Sequence, residues 1–182
     1  LRNSLIEKRN PFVIFTLMKI REFLPADLPM IHGFFDQMGK ESTTFFNQND
    51  VNRNFAVKFV TEKNKSIIRW LAEEDGKMLG YVFLWDIDTT LPWLGIAVRE
   101  DRKGQGIGKK LVEHANHWAE ENGKGGVMLI TASDNTRGQY LYESTGYEKF
   151  GVHPSGELLY IKRFITFVDP ELEGRFPYIP GF

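Results

Sequence analysis

The stretch VREDRKGQGIGKKLV, residues 98–112, joins an apolar run to an amphipathic one through a turn carrying Gly104, Gly106 and Gly108 among charged residues. On its upstream side, LPWLGIAV (91–98) reads as a strand. On its downstream side Ile107, Leu111, Ala115 and Trp118 recur at helical spacing, so they share a buried face and leave Lys109, Lys110, Glu113 and Glu120 mostly to water. The first N–H groups of a helix lack intrahelical partners and sit at the positive end of its dipole, so main chain alone can hold an anion there. Glycine lets the anion approach and tolerates the positive φ such turns use. Arg102, Lys103 and Lys109 add local positive charge. On these residues alone two readings stand: a phosphate cradle, or a glycine-rich turn with solvated lysines.

With 182 residues, 42% apolar and 14% aromatic, the chain is long enough for one packed core of ordinary domain size. The 23 basic and 24 acidic residues nearly cancel, giving a net charge of −1, so neither nucleic acid nor an anionic membrane is an expected partner. Any anion site must be local. The absence of cysteine rules out disulfides, thiolate-ligated zinc and a cysteine nucleophile, and a cytoplasmic location is the expectation. The apolar run PFVIFTLM (11–18) is far shorter than the roughly 18 residues of a membrane span. The expected organisation is an extension over 1–17, one domain over 18–168 and a tail over 169–182. The proline-broken, aromatic end of the chain, FVDPELEGRFPYIPGF, suits a cover for its own domain or for a partner subunit, so a homodimer is one expectation.

Strand and helix signals alternate along the chain. MKIREFL (18–24) predicts a strand, PADLPMIHGFFDQMG (25–39) a helix, and DVNRNFAVKFVTEKN (50–64) a second helix. SIIRWLAEEDGKMLGYVFLWDID (66–88) predicts two strands around an Asp-Gly turn. The strand at 91–98, the helix at 106–123, a strand in GGVMLITA (125–132), a short helix in TRGQYLYESTG (136–146) and two strands in YEKFGVHPSGELLYIKRF (147–164) complete the order. This order predicts an α/β fold: a mixed, largely antiparallel twisted sheet covered by helices on both faces.

Two familiar phosphate loops do not fit the glycine turn. A Walker loop ending at Gly108-Lys109 needs glycine at Lys103 and Ser or Thr at Lys110. A dinucleotide fingerprint spaces its glycines G-x-G-x-x-G, not G-x-G-x-G. The stretch instead resembles the acyl-CoA signature [QR]-x-x-G-x-[GA] of the GNAT superfamily of N-acyltransferases. Gly106 and Gly108 are in register, and Lys103 takes the place of Gln or Arg. A second block, NTRGQYLYESTGYEKFG (135–151), is similar to the superfamily's N-x-x-A-x-x-L-Y-x-x-x-G-F through Asn135, Leu141, Tyr142 and Gly146, with Gly138 for Ala and Tyr147 for Phe.

This resemblance implies acetyl-CoA as cosubstrate, no metal, and direct transfer of an acetyl group to a primary amine of a small molecule or protein. It implies a pyrophosphate held by Lys103, Gly104, Gln105, Gly106, Ile107, Gly108 and Lys109, and a pantetheine arm pairing along Ile96, Ala97 and Val98. Asn135 caps the short helix or bonds the pantetheine, and Tyr142 is the matched general acid, a phenol that stays protonated at neutral pH. Many members carry a glutamate at the start of the strand before the turn, where this chain has Pro92 and Trp93. A non-catalytic acyl-CoA sensor is therefore the alternative.

Other residues carry weaker signals. Leu94, Ile96 and Val98 share one strand face, and Gly95 and Ala97 the other, where Gly95 leaves room or marks a bulge. Asp86 and Asp88 substitute for the glutamate by position only and read more readily as solvated turn residues, so no base is assigned. His114 and His117 lie three apart on a helix but fall among mostly exposed positions without a carboxylate motif, and His32 and His153 carry none. An acceptor wall is expected in MGKESTTFFNQNDVNRNF (38–55), with Phe45, Phe46 and Phe55 as apolar lining and Asp36, Glu41 and Asp50 to attract an amine.

Overall fold

The computed structural model describes residues 17–38 and 65–164. The helix expected over 50–64, the extension up to residue 16 and the segment from 165 onward lie outside the described residues, as do Glu41, Phe45, Phe46, Asp50 and Phe55. Seven strands form one sheet in the order β1-β2-β3-β4-β5-β7-β6. They are β1 (Lys19–Glu22), β2 (Ile67–Glu74), β3 (Lys77–Trp85), β4 (Trp93–Val98), β5 (Gly126–Thr131), β6 (Glu148–Val152) and β7 (Leu158–Arg163). Every neighbouring pair is antiparallel except β4 and β5. Helices α1 (Leu28–Asp36), α2 (Ile107–Glu121) and α3 (Thr136–Ser144) cover both faces, α1 on one and α2 with α3 on the other, as the element order predicts.

The β2–β3 hairpin turns on Asp75 and Gly76, with φ of 51° and 70°, the paired left-handed geometry that Asp-Gly favours in a two-residue loop. Helix α2 buries Ile107, Leu111, Ala115 and Ala119 against β3, β4 and β5, because these positions fall on one stripe. One polar residue of this helix is buried, and one histidine departs from the sequence reading. Asn116 is buried, where its Oδ1 accepts the Tyr147 hydroxyl at 2.7 Å. His114 is half-buried rather than solvated, its ring edge-on to Trp70 with centroids 5.2 Å apart, and burial, then the nearby His117, lowers its pKa.

Gly95 neither marks a bulge nor leaves an open pocket. It pairs with Phe83 in an uninterrupted β3–β4 register, and a Cβ there would lie 2.4 Å from the Phe83 ring. The ring occupies the room that the sequence suggested. Phe83 belongs to an aromatic row on the α1 face, stacked on Tyr81 at 6.0 Å and followed by Trp85 at 5.4 Å. Trp93 of β4 stacks on Trp85 at 6.0 Å, while Phe34 of α1 meets Tyr81 at 5.6 Å. The row thus runs from α1 to the start of β4.

The edge strand β1 is tied in by charge. Arg21 forks onto the buried Asp27 at 2.7 and 2.8 Å and reaches Glu73 of β2 at 2.6 Å, while Asp27 also accepts the Leu24 N–H at 2.7 Å. The Arg21 hydrogen bonds hold the Asp27 carboxyl below its ordinary pKa, outweighing burial. A depressed carboxyl stabilises the fold above its unfolded pKa of about 3.9, and that contribution disappears as pH falls through the folded value. Asp27→Asn is therefore expected to cost about 1–3 kcal/mol at pH 7. The gap to wild type in thermal melts should begin to narrow below about pH 4 and close as pH falls through the lower folded value, where the wild-type carboxylate is itself protonated. A gap independent of pH would remove charge from the explanation.

Candidate active site

Strands β4 and β5 pair only at Trp93↔Met128. At that closed end Met128 N–H donates to the Pro92 carbonyl at 2.9 Å, and at the far end of β4 Arg99 N–H donates to the Leu79 carbonyl of β3 at 2.9 Å. Peptide groups alternate sides along a strand, so both ends give the same parity: odd residues of β4 face β3, and Ile96 and Val98 face β5. With no β5 partner there, their backbone groups face a cavity of about 470 Å³ between the separated strands. Ile96, Ala97 and Val98 line it together, so the cavity reaches residues from both faces of β4.

The glycine turn closes one end. After a short 3₁₀ turn (Glu100–Arg102), Gly104 and Gly106 take φ of 80° and 79°, and Gly106 is the N-cap of α2. A side chain at either would have open space around it, so the left-handed backbone, not crowding, calls for glycine. Gly108 is different, because its Cβ would stand 3.2 Å from Leu141 and 3.6 Å from Val98, across the neck of the cleft. The N–H groups from Gly104 to Lys109 have no acceptor among the described residues, and the first helical bond is Lys110 N–H to the Gly106 carbonyl at 3.1 Å. Lys103, Gly104, Gly106, Gly108 and Lys109 all line the cavity.

Gln105 and Ile107 do not. The Gln105 side chain folds back on the turn, near Arg102 at 3.3 Å and the Asp101 carbonyl at 3.4 Å, and the Ile107 side chain is buried in the core. Both retain backbone N–H groups at the helix start. Arg102 lines the cavity while reaching Glu74 at 3.2 Å. Lys103 lies 3.7 Å from Glu100 and Lys109 lies 3.9 Å from Glu113. These are long, partly solvated pairs of small worth, which an incoming phosphate can displace.

Helix α3 forms the opposite wall. Asn135 caps it, with Oδ1 accepting the Gly138 N–H and Nδ2 donating to Thr131 Oγ1, both at 3.0 Å. A Cβ at position 138 would lie 2.5 Å from that Nδ2, so glycine there makes room for the cap. The capping role of Asn135 is thus met inside the protein while the residue also lines the cavity. Tyr142 is buried, its ring against Tyr147 and Tyr160 at 6.1 and 6.2 Å, and its hydroxyl makes no hydrogen bond to a described residue. Burial pushes its pKa up to about 12. Arg137, Gly138, Tyr140, Leu141 and Ser144 also line the cavity. Arg137, Tyr140 and Ser144 went unrecognised in the sequence, although spacings of three and four from Arg137 place them on one side of the helix.

Asp86 and Asp88 are not brought to the site. Both are exposed in the turn after β3, where the Asp86 carbonyl accepts the Thr89 N–H at 3.0 Å. Asp36 is exposed at the end of α1. His117 pairs with Glu121 on the outer surface of α2 at 3.2 Å. Among the described residues no group of three His, Cys, Asp or Glu is arranged to hold a metal.

Comparison with known proteins agrees with this geometry. A model of the acetyltransferase (GNAT) family matches residues 33–147. An uncharacterized N-acetyltransferase of Bacillus subtilis, YhfO, is 28% identical over 140 residues, covering 72% of this chain and 91% of that protein. Human N-acetyltransferase 8B is 31% identical over 88 residues, covering 45% of this chain, which spans only 39% of the human protein's length. Among solved structures, the GNAT domain of Streptomyces lividans PAT superposes with a TM-score of 0.73 at 15% identity, over 81% of this chain and 90% of that one. The PaiA N-acetyltransferase of Thermoplasma acidophilum, solved with coenzyme A, gives 0.69 at 16% identity over 81% and 99%. AAC(6')-Ib, solved with paromomycin and acetyl-CoA, gives 0.67 at 16% identity over 82% and 95%. The sequence match over the turn, the cleft and α3 establishes what the fold alone leaves open: this chain belongs to the GNAT family of acetyltransferases.

Proposed function

We propose that this protein transfers an acetyl group from acetyl-CoA directly to a primary amine of a small molecule or a protein, without a metal. The observation that carries this reading is the cleft. It offers unpaired backbone along Ile96 and Val98, a helix N-terminus with three basic side chains at one end, and a buried phenol on its wall. The pyrophosphate fits the turn from Lys103 to Lys109, where Gly104 to Lys109 supply N–H donors. The amide-bearing pantetheine fits beside β4 as an added strand. A cleft-facing N–H of β4 is placed to polarise the thioester carbonyl and hold the developing oxyanion.

Tyr142 donates to the sulfur as the C–S bond breaks. Its pKa of about 12 keeps it protonated at neutral pH. The neighbours solved with coenzyme A or acetyl-CoA support the choice of ligand. One observation favours a non-catalytic acyl-CoA sensor instead: no carboxylate or imidazole among the described residues lines the cavity. Thiol release from acetyl-CoA in the presence of a panel of primary amines separates the two, since a sensor binds without turnover.

Acetyl-CoA and CoA are expected to raise the melting temperature well above any effect of ATP or NAD at equal concentration. Calorimetry in which ATP binds as tightly as CoA would overturn the ligand. Gly106→Val places a β-branched residue at φ 79° and is expected to weaken CoA binding at least tenfold in a variant that circular dichroism shows to be folded. Unchanged affinity would remove the pyrophosphate from this turn. Tyr142→Phe should keep ring packing and CoA affinity while lowering the single-turnover rate by roughly 10²-fold or more. A variant that retains the wild-type rate returns Tyr142 to a purely structural role.

A further inference from the structure

Arg137 and Tyr140 line the cleft from α3, and neither the pyrophosphate turn nor the pantetheine track beside β4 uses them. Arg137 differs from the other cations of the cavity. Arg102, Lys103 and Lys109 each lie near a carboxylate, at 3.2, 3.7 and 3.9 Å, whereas Arg137 makes no ion pair or hydrogen bond with a described residue. It is also the second residue of α3, after the N-cap Asn135 and Thr136. A cation in the first turn opposes the helix dipole, and no acidic residue in that turn offsets it. Helix stability therefore gives no reason for arginine at this position, and an anion in the cleft does.

Tyr140 stands three residues on, on the same side of the helix. Its side chain is 75% exposed although it lines the cavity, so it neither fills the core nor closes the wall. Leu141, four residues from Arg137, faces Gly108 across the neck of the cleft, where a Cβ on that glycine would lie 3.2 Å from it. Arg137 is thus about 6 Å along α3 from the point where α3 meets the start of α2. The displacement is toward Asn135, whose Nδ2 bonds Thr131 at the open end of β5, so Arg137 stands at the mouth.

We propose that Arg137 and Tyr140 bind the 3′-phosphoadenosine end of CoA, Arg137 on the 3′-phosphate and Tyr140 on the adenine, and that the pair makes the protein selective for a CoA-borne donor. The proposal rests on the acetyl-CoA reading above. CoA carries its pyrophosphate on the ribose 5′ oxygen and a separate phosphate on the 3′ oxygen, so a ligand whose pyrophosphate sits at the α2 turn presents a second anion close beside it. The unpaired guanidinium offers a fork that a terminal phosphate accepts in two parallel hydrogen bonds. Adenine has a flat π-face, and stacking on the exposed Tyr140 ring covers both surfaces. A donor without the 3′-phosphate, or an acetyl group on the phosphopantetheine of a carrier protein, forgoes these contacts.

The test is titration calorimetry of the full chain with CoA and with 3′-dephospho-CoA. Wild type is expected to bind CoA roughly tenfold or more tightly than dephospho-CoA. Arg137→Ala should abolish that preference by weakening CoA alone, its affinity for dephospho-CoA staying at the wild-type value, and Arg137→Lys, which keeps the charge without the fork, should retain part of it. Tyr140→Ala should weaken both ligands alike, by roughly fivefold or more, while Tyr140→Phe binds as wild type does. Both side chains are exposed, so the free variants should melt as wild type does. An Arg137→Ala protein that loses CoA and dephospho-CoA affinity equally assigns the residue to the pyrophosphate and overturns the proposal. Wild type that binds the two ligands equally overturns it as well, and unchanged CoA affinity in Tyr140→Ala removes the adenine from that ring. Wild type that binds neither ligand defeats the acetyl-CoA reading itself.

Discussion

The separation of β4 from β5 after a single pair is the constraint on which the rest of the molecule depends. An interior ladder left open exposes peptide groups that a sheet normally pairs, and each is expensive to leave unmade away from water. The strands stay apart because each is held on its other side. β4 is in register with β3 from Trp93 to Val98, and β5 with β7 from Gly126 to Thr131. The closed end is locked as well. Gly125 N–H donates to the Thr90 carbonyl at 2.9 Å, and Gly126 approaches β7 so closely that a Cβ would lie 2.3 Å from the Lys162 carbonyl oxygen. Helix α2 crosses from one strand to the other, and its first turn sits at the open end because a right-handed β–α–β crossover must begin there. Cleft and anion site are thus one feature, seen from the strand and from the helix.

This geometry supports the proposal of a local anion site in a chain with a net charge of −1. The cations at the mouth are each already near a carboxylate, Arg102 with Glu74, Lys103 with Glu100 and Lys109 with Glu113, at 3.2 to 3.9 Å. Such long pairs, exposed at Lys109 and partly solvated at Arg102 and Lys103, contribute little, so exchanging a carboxylate for a phosphate costs little. The backbone donors offer no such exchange. They stand where φ near 80° at Gly104 and Gly106 puts them, which gives the turn its preference for a compact anion over a diffuse negative surface.

Much of this was legible in the sequence, for identifiable reasons. The stripe through Ile107, Leu111 and Ala115, the Asp-Gly hairpin and the alternating element order depend on local patterning, and each is found where periodicity places it. What escaped was set by contacts between elements. Asn116 reads as one more polar residue on a helix until Tyr147, distant in sequence, delivers a hydroxyl to it. Gly95 reads as open space until Phe83, its cross-strand partner, fills it. His114 reads as solvated until Trp70 of β2 packs on it. Arg137, Tyr140 and Ser144 lay within a recognised block on an expected helix, but that their side of it lines the cleft is set by how the helix packs.

The protonation state of Tyr142 constrains the chemistry further. In the proposed transfer, a phenol with a pKa of about 12 would give up its proton to a thiolate, whose conjugate thiol titrates near 8.5, at a cost of about 5 kcal/mol if that step were complete before anything else moved. Donation is therefore favourable only as charge accumulates on sulfur during C–S cleavage, and the phenolate must be reprotonated promptly. The same number excludes Tyr142 as the acceptor of the amine's proton, since at neutral pH it has no vacancy to fill. The proton leaving nitrogen and the proton arriving at sulfur must then use different groups.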